Sequence, residues 1–186
     1  MSMVCTYGQA KKIVDMKRVN QDLFHLTPEF CGKAIIRIPV EASFAPPFPH
    51  DTDEGTAQFL SFEGTHPLRD AFREELATRG CKYIPITSGN ISGAPTIEDF
   101  ESAKKLAAHM RTRASFMGMD GIKTAVIDIP SDKGDHKGSF IILSLCNPKA
   151  IEVKRLADKT DRDATEKYLD ELLPSVQRQT PLVYAL

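Results

Sequence analysis

Ser88, Asn90 and Ser92 stand in one short stretch with Gly89, Gly93 and Pro95, directly after the strand-like run Tyr83-Ile84-Pro85-Ile86. Hydroxyl and amide side chains supply hydrogen-bonding groups, and glycines let backbone N–H groups come close to an anion. Residues of these types in this order, strand, small-residue loop and helix start, hold phosphates and nucleotides. The same types also make ordinary turns and helix entries, and spacing alone leaves the two readings evenly balanced. Thr96 reads as the N-cap of the following helix. Glu98 and Asp99 already place negative charge in its first turn, so a phosphate is expected over the loop rather than on the helix axis.

Other polar residues are weighed in the same way. Lys11, Lys12, Lys17 and Arg18 form a basic cluster whose default reading is a solvated helix face. Arg37, flanked by Ile36 and Ile38, alternates to the opposite face of its strand, where it meets solvent or lines a polar cavity. His50, Asp51, Asp53 and Glu54 sit in a proline-rich stretch and read as solvated rather than metal-binding. His25, His66, His109 and His136 have no partner spacing for a metal or a triad. Cys5, Cys31, Cys81 and Cys146 are far apart, which suggests no disulfide framework, zinc site or activated thiol. No residue is assigned a catalytic role, and no metal ligand is assigned.

Composition narrows the function classes. The 24 basic and 25 acidic residues leave a net charge of −1, so a nucleic-acid contact would need a local patch rather than a global field. No apolar run approaches the ~20 residues of a membrane span, and the start of the chain lacks a secretory layout. A cytoplasmic protein with no membrane partner is expected.

The elements that must position these residues follow from the pattern. A short basic helix is expected over 9–17, a strand over Ala34–Val40, and loop from Ser43 to Gly64. The clearest helix runs from His66 to Arg79, with Thr65 as cap and Gly80 as stop; Leu68, Ala71, Phe72 and Leu76 form its apolar stripe. Asp70, Arg73 and Glu75 face water. A second helix is expected from about Ile97 to Met110, with Phe100, Ala103, Ala107 and Met110 inward and Glu101 spaced to pair with Lys105. Strands are expected over Lys123–Ile129, Ser139–Cys146 and Ile151–Arg155, and a last helix over Asp161–Leu173. The segment 175–186 shows little pattern. This predicts an α/β (α+β) fold: one domain over 1–174, with a twisted mixed sheet flanked by helices, and a tail over 175–186.

These motifs resemble the YrdC/YciO-like family, whose enzymes are threonylcarbamoyl-AMP synthases. The stretch Ser88-Gly89-Asn90-Ile91-Ser92-Gly93-Ala94-Pro95-Thr96 is similar to the family's Ser-x-Asn-x-Ser-Gly–Pro–Thr loop. Arg37-Ile38-Pro39 resembles its Arg-Ile-Pro strand, Thr124-Ala125-Val126-Ile127-Asp128 its Ser-Thr-Val-Val-Asp segment, and Arg155 its later arginine. Thr6-Tyr7-Gly8 with Lys17-Arg18 is a weaker likeness to the family's first motif. The best-supported span is 34–156. The family's Trp-Pro-Gly turn is absent, the basic pair is reduced to adjacent residues, and the chain looks divergent or N-terminally shortened.

The resemblance implies a condensation of threonine, bicarbonate and ATP, with release of pyrophosphate, that feeds tRNA threonylcarbamoyladenosine formation. It implies nucleotide binding by Lys17, Arg18, Arg37, Ser88, Asn90, Thr96 and Arg155, and a threonine pocket of Thr6, Ser88 and Thr124. ATP is the nucleotide substrate, with Mg2+ as its companion ion. RNA or tRNA-modification proteins are the implied macromolecular partners. The alternative is a catalytically reduced nucleotide- or RNA-binding module of the same fold, or an interaction domain whose loop is only structural.

Overall fold

The computed structural model describes residues 2–44, 55–61, 67–86, 97, 99–121, 123–126, 141–155, 167, 170–171 and 182–184. The chain divides into two compact units, one of residues 1–87 with 139–186 and the other of residues 88–138.

The first unit holds a mixed sheet of seven strands: β1 (Ser2–Val4), β2 (Ala34–Pro39), β3 (Thr56–Leu60), β4 (Ile84–Ile86), β5 (Ile141–Ser144), β6 (Ile151–Arg155) and β7 (Leu182–Tyr184). Their order is β4-β1-β3-β2-β5-β6-β7, which puts β2 in the middle. The pairs β1–β3, β2–β5 and β6–β7 are parallel; β1–β4, β2–β3 and β5–β6 are antiparallel. The architecture is α/β with a mixed sheet, as the interspersed elements predict.

Period-two alternation gives the sheet two unlike faces. Met3, Ala34, Ile36, Ile38, Ala57, Phe59, Ile141, Leu143, Ile151 and Val153 all project into one buried core. That face is covered by residues 7–30, which supply Ala10, Ile13, Val14, Val19, Leu23, Phe24 and Phe30. They come from α1 (Tyr7–Ala10), α2 (Gln21–Phe24) and a 3-10 turn (Thr27–Phe30). Burying each of the larger aliphatic and aromatic side chains among them is worth about 1.5–3 kcal/mol. The opposite face carries the polar residues described below.

Several expectations are corrected. The helix expected over 9–17 is a single turn capped by Thr6, and after Ala10 the chain continues in turns whose Ile13 and Val14 N–H groups donate to the Ala10 carbonyl. Val14 then makes an isolated bridge to Val40, and the Ile13 carbonyl accepts from the Glu41 N–H, so these two buried residues tie the turns to the end of β2. The stretch expected as loop from Ser43 to Gly64 contains β3: Ala57 and Phe59 are core residues, and Thr56 and Gln58 alternate with them. Residues 175–186, read as patternless, contribute β7. Of the strand expected over Lys123–Ile129, residues 123–126 are described and are not strand. Lys167, Asp170 and Glu171 are helical within the last expected helix, whose other residues lie outside the described ones.

Two long helices remain. In the first unit, α3 (Pro67–Thr78) has no buried residue, and its expected inward stripe is turned outward at Leu68 and Phe72. Arg73 and Asp70, expected in water, are the more sheltered side chains. In the second unit, α4 (Phe100–Phe116) starts later and runs further than the spacing predicts. Asp99, not Thr96, is its cap and accepts from the Ser102 N–H at 2.7 Å; hydrogen bonding to the Ser102 side chain, and then to its backbone, holds the Asp99 carboxyl below its usual range. No breaker follows Met110 until Gly118, so the helix continues for six more residues to Phe116. Glu101 pairs with Lys104 at 2.6 Å rather than with Lys105. Among the described residues no helix is long and apolar enough to cross a membrane.

Candidate functional site

The polar face of the sheet carries a continuous row. Gln58 on β3 stands opposite Arg37 on β2, Arg37 opposite Ser144 on β5, and Ser144 opposite Glu152 on β6. Register partners share a face, so the four side chains leave the sheet on one side. Ser2 extends the row onto β1 through a hydrogen bond from its hydroxyl to Gln58 Oε1 at 3.1 Å. At the other end Glu152 is ion-paired to Lys154 at 2.9 Å.

Arg37 is the centre of this row and of the sheet. It is only 9 % exposed, and its Nε donates to Thr56 Oγ1 at 3.3 Å. Thr56 is itself buried, as is Ser144 at 1 % exposure. A buried cation is costly unless it is hydrogen-bonded or paired, and the alternation of β2 and β3 supplies that polar surround. A guanidinium keeps its charge at any ordinary pH and presents donors in a planar fork suited to phosphate and carboxylate. A cation beside hydroxyls at the middle of a sheet has the chemistry to hold an anionic group.

Arg18 joins this site from the N-terminal segment. Gly55, which leads into β3, has φ of +73°, and a Cβ built there would lie 3.2 Å from Arg18 Nη1. The arginine therefore lies across a bare backbone position at the mouth of β3. Cys146, just past β5, reports the same convergence. Burial raises its pKa above the ordinary 9.0; the Ser144 hydroxyl, Arg37 and Arg18 pull against that rise, and Glu152 adds to it. Two arginines, a thiol, a hydroxyl and a carboxylate thus share one electrostatic neighbourhood.

The residues expected to bind nucleotide or threonine are distributed as follows. Arg18 and Arg37 come together. Lys17 is exposed, on the turn where its backbone N–H meets Asp15 Oδ1 at 3.0 Å. Thr6 serves as a helix cap: its Oγ1 accepts from the Gln9 N–H while Gln9 Oε1 accepts from the Thr6 N–H. Thr124 belongs to the second unit, where its hydroxyl donates to the Ala107 carbonyl at 3.5 Å. Arg155 ends β6, and its side chain lies outside the described residues. Ser88, Asn90, Ser92 and Thr96 also lie outside them.

Sequence reasoning missed Gln58, Thr56, Ser144, Cys146 and Glu152. Thr56 and Gln58 were hidden by the proline-rich, acidic run before them. Ser144 and Glu152 carried the usable signal, since each is a polar residue between apolar ones in a strand, just as Arg37 is. Among the described residues no group of three or more His, Cys, Asp or Glu side chains is gathered to hold a metal ion. No family model, curated protein or solved structure matches this chain.

Proposed function

We propose that this chain is a nucleotide-binding protein of the YrdC-like kind, acting as a threonylcarbamoyl-AMP synthase on ATP, threonine and bicarbonate in the cytoplasm. The observation that supports this reading is the buried Arg37, bonded to Thr56, with Arg18 brought to the same end of the sheet. Activation of a threonine carbamate by ATP requires in-line placement against the α-phosphate and neutralisation of charge on its oxygens. A buried, hydrogen-bonded guanidinium such as that of Arg37 does both, because it costs little reorganisation when the charge develops. Arg37 meets the phosphate chain, Arg18 its outer oxygens, and Ser144 and Thr56 hold the Arg37 neighbourhood polar. Magnesium accompanying the triphosphate draws its oxygens from phosphate and water, as that ion usually does. On this reading tRNA-modification proteins are the partners that use the product.

Isothermal calorimetry of the full chain with ATP, followed by a pyrophosphate assay with threonine and bicarbonate, tests this. The expected result is a saturable ATP heat and pyrophosphate release that needs threonine. ATP heat without pyrophosphate release reduces the protein to a binding module. No ATP heat overturns the reading.

A further inference from the structure

The outer face of α4 carries a second, unrelated pattern. Lys105, His109 and Arg113 follow one another at four-residue intervals, so they align along one ridge about 6 Å apart. All three are exposed. Phe116, three residues beyond Arg113, closes the ridge and is 89 % exposed. The neighbouring acids are engaged elsewhere: Glu101 is held by Lys104 at 2.6 Å, and Asp120 accepts from the Ser115 hydroxyl at 2.6 Å. Asp99 caps the N-terminal end of the helix, within electrostatic reach of Lys105.

Beside the ring lies a hollow of about 330 Å³, lined among the described residues by Thr112, Ser115 and Phe116. The two hydroxyl protons are spent, on the Ala108 carbonyl and on Asp120. Their oxygens therefore serve the hollow as acceptors. An aromatic face, two acceptors and the two cations Lys105 and Arg113, with an imidazole between them, are matched by a planar ring bearing an amino group, attached to a chain of anions.

We propose that this face of α4 binds a single-stranded polynucleotide. Phosphates track along Lys105, His109 and Arg113, and one base stacks on Phe116. The acceptor hydroxyls favour adenine or cytosine, whose exocyclic amino groups donate. A single ridge of Lys105, His109 and Arg113, ending in a ring, fits a flexible polyanion better than a flat lipid surface. None of these residues belongs to the polar row of the sheet, so the inference stands or falls apart from the proposed synthase activity.

Fluorescence anisotropy of the full chain with short labelled oligo(A), oligo(dA) and oligo(U) tests it. Oligo(A) or oligo(dA) is expected to bind more tightly than oligo(U), and the stronger of the two tells whether RNA or DNA is served. Log affinity should fall against log salt with a slope of about −1.4 to −2, for two to three phosphate contacts on a single strand. Phe116→Ala should weaken binding about 5- to 100-fold, with recovery in Phe116→Trp. Lys105→Ala with Arg113→Ala should flatten the salt slope by about 1.4. These side chains are exposed, and matching circular dichroism spectra establish that each variant is folded. No binding at low salt, or binding that these substitutions leave unchanged, overturns the proposal. So does capture by phosphatidylserine vesicles, through Phe116 with its exposed neighbours Met117 and Met119, in place of the oligonucleotides.

Discussion

Arg37 and Ser144 face each other across β2 and β5, so a guanidinium at the middle of the sheet has a buried hydroxyl as its direct cross-strand neighbour. Both side chains are buried, so the pair is held away from bulk water. The pairing is parallel and lies in the central part of the sheet, where strands are ordinarily apolar on both faces. Keeping a charge in such a place costs stability unless it is hydrogen-bonded or paired.

Arg37→Met separates the two roles the arginine can have. Methionine has similar length and fills the stem's volume, so unfolding free energy should change by less than about 1.5 kcal/mol. ATP affinity should fall about 10- to 100-fold, the worth of a charge-assisted hydrogen bond. Arg37→Lys should recover little, since the planar fork is lost. Urea unfolding and calorimetry on the same samples check this. A protein that loses stability but keeps its ATP affinity would assign Arg37 to structure alone.

Gly55→Ala probes the seat of Arg18. At φ of +73° an alanine is strained by about 1–2 kcal/mol. The added methyl also meets Arg18 Nη1 at 3.2 Å, but that is the far end of a flexible side chain and moves at small cost. The expected loss is therefore about 1–2 kcal/mol, nearly the same with Arg18→Ala in the background. ATP affinity should fall with Gly55→Ala only while Arg18 is present, because the displaced guanidinium is what the nucleotide misses. Thermal unfolding of the two single variants and the double variant reads the coupling directly.

The mixed α/β character, β2, β6 and the existence of α3 and α4 were legible in the sequence, because each has a strong period and recognisable stops. β1, β3 and β7 were not. Each is only three to five residues long and gains its strand state from neighbours already in the sheet rather than from its own pattern. The same holds for the site. Arg37 was legible from its alternation, whereas its union with Arg18 depends on Val14 bridging Val40, a long-range contact with no local signature. Leu68 and Phe72 mark the opposite failure, in which periodicity named an apolar face correctly but not the direction in which it points.

Cys146 predicts a pH dependence with a definite sign. Its folded pKa is raised above 9.0, chiefly by burial, so the folded protein holds the thiol proton more tightly than the unfolded chain does. The contribution is fully present below pH 9 and is lost as pH rises through the folded value. Tyr83, whose pKa is raised above 10.0 by burial and by Cys5, acts in the same direction at higher pH. Cys146→Ala should flatten the fall in stability just above pH 9 and leave the Tyr83 portion intact. Urea midpoints measured from pH 7 to about pH 11 in the two proteins give the difference; identical curves would mean that the thiol is not sheltered by the fold.

Asn20 ties the N-terminal cover to the sheet, and its replacement should cost more than an ordinary cap. Its side-chain Oδ1 accepts from the Leu23 N–H at 3.2 Å, and its backbone N–H donates to the Leu145 carbonyl at 2.9 Å, immediately after β5. Asn20 is buried, so removing the side chain leaves the Leu23 donor without water to replace the lost partner. Asn20→Ala should cost about 1–2 kcal/mol, and Asn20→Asp or Asn20→Ser, which keep an acceptor, about half of that or less. Because Leu145 lies between Ser144 and Cys146, loosening this contact also frees the β5 end of the arginine site. Hydrogen exchange at Leu23 and Asn20 should accelerate together in Asn20→Ala. Acceleration at Leu23 alone would show that the cap is a local feature of α2 and does not brace the site.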